Sequence, residues 1–246
     1  MKQVNVLGIP FHAITTTQAL AQIELWLDGD QNHIVVTPNP EGVMQARRNR
    51  DFAAALLAAD FRLADGVGIL LASWLKGQRL PERVRGYDTV LELFEHLCKK
   101  GRNSTAYFLG AKPGVAQAAK ANMEQQFPCL QVVGCHHGYF EPDTPEEAQI
   151  VADINKLEPD ILLVCTGMPR AEIWAHCQAN INARITMCVG GTLDVMANNA
   201  ELAPSVMRKW GLEWLYRLYK QPSRFKRMLD IPRFVAAIFF GGIAGC

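Results

Sequence analysis

Residues that could do chemistry recur in this 246-residue chain just after short apolar runs, and they are of two kinds. The first kind is small or glycine-rich, as in Thr37-Pro38-Asn39, Gly110-Ala111, Gly167-Met168-Pro169 and Gly190-Gly191-Thr192-Leu193-Asp194. Without a Cβ, such loops let backbone N–H groups and helix N-termini approach a phosphate. The second kind is ionisable. Asp65 closes one run, Gly66 follows, and no other acid occurs before Glu82. A carboxylate there, beside apolar Ile69 and Leu70, can have a raised pKa and act as a general base, or it can simply cap the next helix. Arg83 and Arg85 flank Val84 and can neutralise a pyrophosphate leaving group, or stand as ordinary surface cations.

Other chemistries are disfavoured by spacing. There is no Walker A sequence and no G-x-G-x-x-G after the first strand, which argues against a P-loop NTPase and a nicotinamide dehydrogenase. Asp28-Gly29-Asp30 has the D-x-D form of metal-dependent sugar-nucleotide enzymes, but it precedes a strand and reads as a turn. His136 and His137 are adjacent, so on an extended segment they face opposite sides and cannot share a metal. The seven cysteines are odd in number, scattered and without C-x-x-C. They read as reduced thiols, with neither disulfide nor metal expected.

The elements that must position these groups follow from hydrophobic period. Apolar runs at 4–7, 33–37, 61–64, 106–109, 131–134, 161–166 and 185–189 predict strands. Helical patterns lie at 17–27, 41–57, 67–75, 89–99, 114–126, 145–156 and 171–178. This βαβ alternation predicts an α/β fold with a mostly parallel sheet covered on both faces, and a ligand beyond the carboxyl ends of its strands. Ala64-Asp65-Gly66 and His136-His137-Gly138-Tyr139 also fall on that rim. Several such loops converging indicate a nucleotide-type ligand more than any one alone.

Charge is nearly balanced at 25 Lys+Arg against 24 Asp+Glu, yet it is unevenly placed. From Glu201 onward there are eight basic and three acidic residues, a net of +5, which leaves −4 on the first 200. The tail therefore meets something anionic or presents a solvated helix face. Its Trp210, Trp214, Tyr216, Tyr219 and Phe225 interleave with Lys and Arg, as in interfacial membrane helices. The same residues suit packing on the main body, or self-association into a homo-oligomer. The apolar stretch 234–246 is shorter than the roughly 18 to 20 residues that span a bilayer, and the first residues lack a secretory signal's apolar region. A cytoplasmic protein is expected.

Taken together, Thr37-Pro38-Asn39, Ala64-Asp65-Gly66, Pro81-Glu82-Arg83-Val84, His136-His137-Gly138-Tyr139-Phe140, Gly190-Gly191 and above all Gly211-Leu212-Glu213-Trp214-Leu215-Tyr216-Arg217-Leu218 carry a resemblance. Over nearly its whole length the chain resembles the WecG/TagA/CpsF glycosyltransferases. That resemblance implies an inverting, metal-independent enzyme on a Rossmann-like domain (1–200) with a basic, membrane-targeting helical appendage (201–246). It would move an N-acetylmannosamine-type hexose from a UDP-sugar to a polyprenyl-diphosphate-linked glycan in surface-polymer synthesis. The partners implied are donor, acceptor and an anionic membrane surface at the inner face of the cell membrane, with no nucleic acid and no cofactor.

Residue by residue, the resemblance makes Asp65 the base and places Thr37, Asn39 and Arg83 near the diphosphate and sugar. It assigns Tyr139 and Asp194 to the nucleoside, and brings Arg217, Arg224 and Arg227 over the pocket to stabilise UDP. Gly66, Gly110, Ala111, Gly167, Pro169, Glu172 and Gly191 complete the expected substrate-binding rim. Three positions depart from the family pattern: Ala171 for Gln, Leu202 for Arg and Asn198 for Gly. Two readings of other classes are a nucleotide-binding oxidoreductase and a non-catalytic protein docking to lipid or RNA through the tail.

Overall fold

The computed structural model describes residues 1–178, 180–222 and 225–240. The chain opens with β1 (Gln3–Val6) and β2 (Ile9–His12), then α1 (Thr16–Trp26), β3 (His33–Val36), α2 (Pro40–Ala46), α3 (Arg50–Ala58) and β4 (Phe61–Arg62). It continues with α4 (Val67–Leu75), α5 (Gly86–Lys99), β5 (Ser104–Gly110), α6 (Val115–Gln126), β6 (Leu130–His136), α7 (Pro145–Leu157) and β7 (Ile161–Cys165). Then come α8 (Arg170–Cys177), β8 (Ile185–Cys188), α9 (Thr192–Met196), and the C-terminal helices α10 (Ser205–Lys209), α11 (Glu213–Lys220), α12 (Phe225–Met228) and α13 (Asp230–Phe240).

Six strands form one parallel sheet in the order β4-β3-β8-β7-β5-β6. Alternation along each strand divides its side chains between two cores. Phe108, Ile161, Leu163 and Ile185 face α1, α5, α6 and α9. Leu109, Leu162, Val164 and Cys188 face α2, α3, α7, α8 and the N-terminal hairpin. The chain leaves β5 towards β6 on one side and β7 towards β8 on the other, so the loops after β5 and β7 diverge and open a crevice at the carboxyl edge.

Three expectations change. The run at 4–7 does not join the parallel sheet: it pairs antiparallel with β2, with Val6 opposite Ile9 across a turn in which Leu7 and Gly8 both have positive φ. Pro10 disguised that second strand. The helical pattern at 41–57 is two helices, because Asn49 caps α3 by accepting from the Phe52 amide at 3.1 Å. Cys98 and Cys129, read as free thiols, are disulfide-bonded. Their separation of 31 residues hides that α5 and the segment entering β6 bring the Cα atoms to 5.3 Å, within bridging range. Cys165 and Cys188 are buried free thiols, as expected, and Cys246 lies outside the described residues.

The C-terminal helices pack back on the body. Phe234 of α13 enters the core shared with α2 and α4. Asp230, also buried, accepts two hydrogen bonds from the Arg48 guanidinium, one at 2.8 Å. Among the described residues no helix is long and apolar enough to cross a membrane.

Candidate active site

Asp65 stands between β4 and α4, where its backbone amide reaches the Pro38 carbonyl (3.4 Å) of the loop after β3. It is not a helix cap. The cap position is Gly66, with φ 104°, and no side chain caps α4. A side chain at Gly66 would also press on Pro40 Cδ at 3.1 Å, so glycine is required twice over. The amide of Val84 donates to the Ala64 carbonyl (2.9 Å), which lays the Arg83–Arg85 segment beside Asp65. Thr37 completes this wall: its Oγ1 lies 2.9 Å from where a Cβ on Gly86 would sit. Asn39 caps α2 through its Oδ1, accepting from Gly42 at 2.9 Å.

A second set of loops closes from the other side. Gly110 has φ 146°, and a Cβ there would lie 2.5 Å from the Cys165 carbonyl group, so β5 and β7 meet too closely for any side chain. Gly138 packs on Gly110 Cα and Thr166 Cγ2, and its amide donates to Ala111 (2.9 Å). Met168, two residues short of α8 and joined to Pro169 by a cis peptide, reaches Gly42 and so links Gly167-Met168-Pro169 to the first set. Gly191 is the cap residue of α9, with Asp194 in its first turn. Tyr139 projects from the rim, 65% exposed.

The appendage covers the Asp65 side. Arg83 donates to the Arg208 carbonyl and to Glu213 Oε1, both at 3.0 Å. Arg85 reaches the same carbonyl (3.2 Å), Glu213 (3.3 Å) and Asp88 (2.7 Å), and Arg208 returns to Asp88 at 2.5 Å. Glu213 is therefore the carboxylate on which two rim guanidiniums converge. Arg217, one turn further along α11, lies close enough to act on Asp65. Burial pushes the Asp65 carboxyl up to about 7; Arg217 opposes this, Glu213 adds to it, and Arg85 and Asp88 act more weakly in opposite senses. Arg227 pairs with Glu41 at 2.5 Å in the first turn of α2. Arg224 lies outside the described residues.

Glu172 lies buried beneath the Gly167–Pro169 turn, and burial raises its carboxyl to about 7 as well. Its Oε2 has no hydrogen-bond partner among the described residues, which fits a protonated acid. Ala171 beside it is fully buried. Asn198 has φ 58°, a left-handed conformation that Asn tolerates next best after glycine, so the backbone role survives that departure.

Two motifs resolve differently from each other. Asp28-Gly29-Asp30 sits at the amino edge, with Asp28 on Arg102 (2.5 Å) and the Gly29 carbonyl on Arg184 (3.1 Å), away from the rim. His136 and His137, expected to diverge, converge: β6 ends at His136, strand alternation stops there, and the rings lie 4.3 Å apart. Their Nε2 atoms are 3.9 and 3.7 Å from Glu146. The Tyr139 amide donates to His137 Nδ1 (3.3 Å), and ligand atoms of His136, His137 and Glu146 all lie within 4.8 Å of one another, so the expectation that the two rings cannot share a metal does not hold: the end of the strand lets them converge.

Of the expected site residues, Thr37, Asn39, Asp65, Gly66, Arg83 and Arg217 come together. Gly110, Ala111 and Gly167 form the adjoining wall. Glu213, Arg208 and Asp88 were not anticipated. The only signal for Glu213 was its place in the most distinctive string of the sequence.

Comparison with known proteins identifies the chain's relatives. Residues 4–243 match the model of the Glycosyl transferase WecG/TagA/CpsF family. An N-acetylglucosaminyldiphosphoundecaprenol N-acetyl-beta-D-mannosaminyltransferase of Bacillus spizizenii W23 is 32% identical over 87% of this chain and 81% of its own length. Proteins of the same name from Bacillus subtilis 168 and Staphylococcus aureus MRSA252 are 30% identical over 97% and 96% of this chain, and 91% and 92% of their own lengths.

Proposed function

The chain belongs to the WecG/TagA/CpsF glycosyl transferase family, and from that premise we propose that it transfers N-acetylmannosamine from UDP to an N-acetylglucosaminyl-diphosphoprenyl acceptor. The supporting observation is the half-buried Asp65 carboxyl at the sheet rim, raised to about 7 by desolvation and acted on by the charges of Arg217 and Arg85. In this reading the acceptor hydroxyl oxygen attacks the anomeric carbon from the face opposite UDP, its proton passes to Asp65, and the C–O bond to UDP breaks with inversion. The departing diphosphate gains negative charge, which Arg83, Arg85 and the appendage arginines stabilise. Thr37 and Asn39 line the sugar and diphosphate, Tyr139 and Asp194 hold the nucleoside, and residues 201–246 act as an appendage that completes the pocket at the inner membrane surface. Neither an oxidoreductase nor a lipid- or RNA-docking protein has comparable support.

The test is transfer with UDP-N-acetylmannosamine and a short-prenyl N-acetylglucosaminyl diphosphate, followed by mass spectrometry of the lipid product and assay of released UDP. The expected product carries one added N-acetylhexosamine of inverted configuration, and its yield is unchanged by EDTA. No product with this donor, alongside turnover of another UDP-sugar, would reassign the sugar. No turnover with any UDP-sugar would overturn the reading.

A further inference from the structure

Among the described residues, helix α4 leaves most of its apolar face uncovered. Val67, Leu71, Trp74 and Leu75, at spacings of four, three and one, are 44%, 48%, 54% and 41% exposed, while Ile69 and Ala72 on the opposite side are buried. The helix is followed by exposed Lys76 and Arg79. A tryptophan at the end of an apolar stripe with cations just beyond it is the arrangement that settles at a lipid headgroup layer.

Two contacts join this stripe to the C-terminal helices. The Val67 side chain fills the space beside Gly211, and Gly68 faces the Phe234 ring, whose Cε1 is 3.6 Å from where a Cβ would be. Those helices expose Trp210 and Leu215 on one segment and Val235 and Phe239 on the other, within a stretch carrying +5. We infer that the outer face of α4 is a bilayer-inserting element in its own right, entering the interface of an anionic membrane alongside the appendage.

A second copy of the chain is the less suitable occupant. A two-fold contact sets each patch against itself, and here that would oppose two basic segments. A bilayer with anionic headgroups complements them instead. The inference rests on the transferase reading for its purpose. Asp65 and Gly66 immediately precede α4, and nine residues at 1.5 Å each span only about 14 Å, so a lipid-borne acceptor would meet the base within one short helix of the membrane.

The experiment uses the full chain, with its appendage intact, and vesicles of phosphatidylcholine and phosphatidylglycerol at a ratio of 7:3. Leu71→Glu/Trp74→Glu is expected to weaken co-sedimentation at least tenfold while keeping the wild-type circular dichroism and turnover of the short-prenyl acceptor. Should that variant not fold, Trp74→Phe gives an independent reading: brominated lipids should quench measurably less of its fluorescence than of the wild type's. Vesicle binding equal to wild type in the folded double variant, or identical quenching with and without Trp74, would overturn the inference. So would a wild-type dimer, seen by analytical ultracentrifugation, that the double variant dissociates without loss of vesicle binding. Vesicle binding requires no donor or acceptor, so it can fail or hold independently of whether the short-prenyl substrate is turned over.

Discussion

At the scale of single residues, the proposed chemistry rests on an acid that is costly to ionise. A carboxyl raised from its ordinary value to about 7 is protonated in the folded chain across the window where the unfolded chain has already lost its proton. Ionisation therefore disfavours folding increasingly as pH climbs from about 4 to 7. Asp65→Asn should melt higher than wild type at pH 8 and together with it at pH 4, as thermal scans at the two pH values will show. The same variant should turn over orders of magnitude more slowly while still being stabilised by UDP, by about 2.7 kcal/mol at a hundred times its dissociation constant. In the wild type, the rate should rise with pH through an acid limb near 7. An Asn variant of undiminished turnover would remove Asp65 from the reaction. Asp65 was legible in the sequence because an acid set between an apolar run and a glycine falls on the edge where a parallel sheet meets its ligand. Glu213 was not, because its partners Arg83 and Arg85 lie about 130 residues away and only the fold brings them together.

At the scale of elements, the strands of the parallel sheet and most helices could be read from their period, and α4 was anticipated over its full extent, 67–75. The misreadings have different causes. The hairpin partner 9–12 and the break before Asn49 are local features, hidden by Pro10 and by a cap inside a continuous apolar pattern, whereas the Cys98–Cys129 bridge depends on elements distant in sequence. The link between α11 and the rim is of this last kind, and it is testable. Glu213→Gln keeps the size of the side chain and removes the charge that Arg83 and Arg85 share. A charge-assisted hydrogen bond contributes roughly 1.5–3 kcal/mol, so turnover should fall about tenfold to a hundredfold. Because Glu213 also raises the Asp65 carboxyl, the acid limb of the pH–rate profile should move to lower pH in the variant. A merely structural role for Glu213 would lower the rate without moving that limb.

On the scale of the whole molecule, the appendage is tied to the body by an ion pair as well as by Phe234. The Arg48 guanidinium, followed by burial acting the other way and by Arg233, sets the Asp230 carboxyl below the usual carboxylate range. A depressed carboxyl stabilises the fold above its unfolded value and loses that contribution as pH falls through its folded one. Asp230→Asn should therefore lower the melting temperature at pH 7, by the equivalent of about 1–3 kcal/mol for a buried charged hydrogen bond left with a neutral partner. The gap from wild type should close in strong acid, where both chains carry a neutral side chain at this position. If α13 undocks, Arg217 and Glu213 lose their support over Asp65, so the variant should also lose transfer to the short-prenyl acceptor, which needs no membrane. A variant that melts early yet transfers normally would show that α11 holds its place without α13, and that the appendage acts as separate helices instead of as one arm.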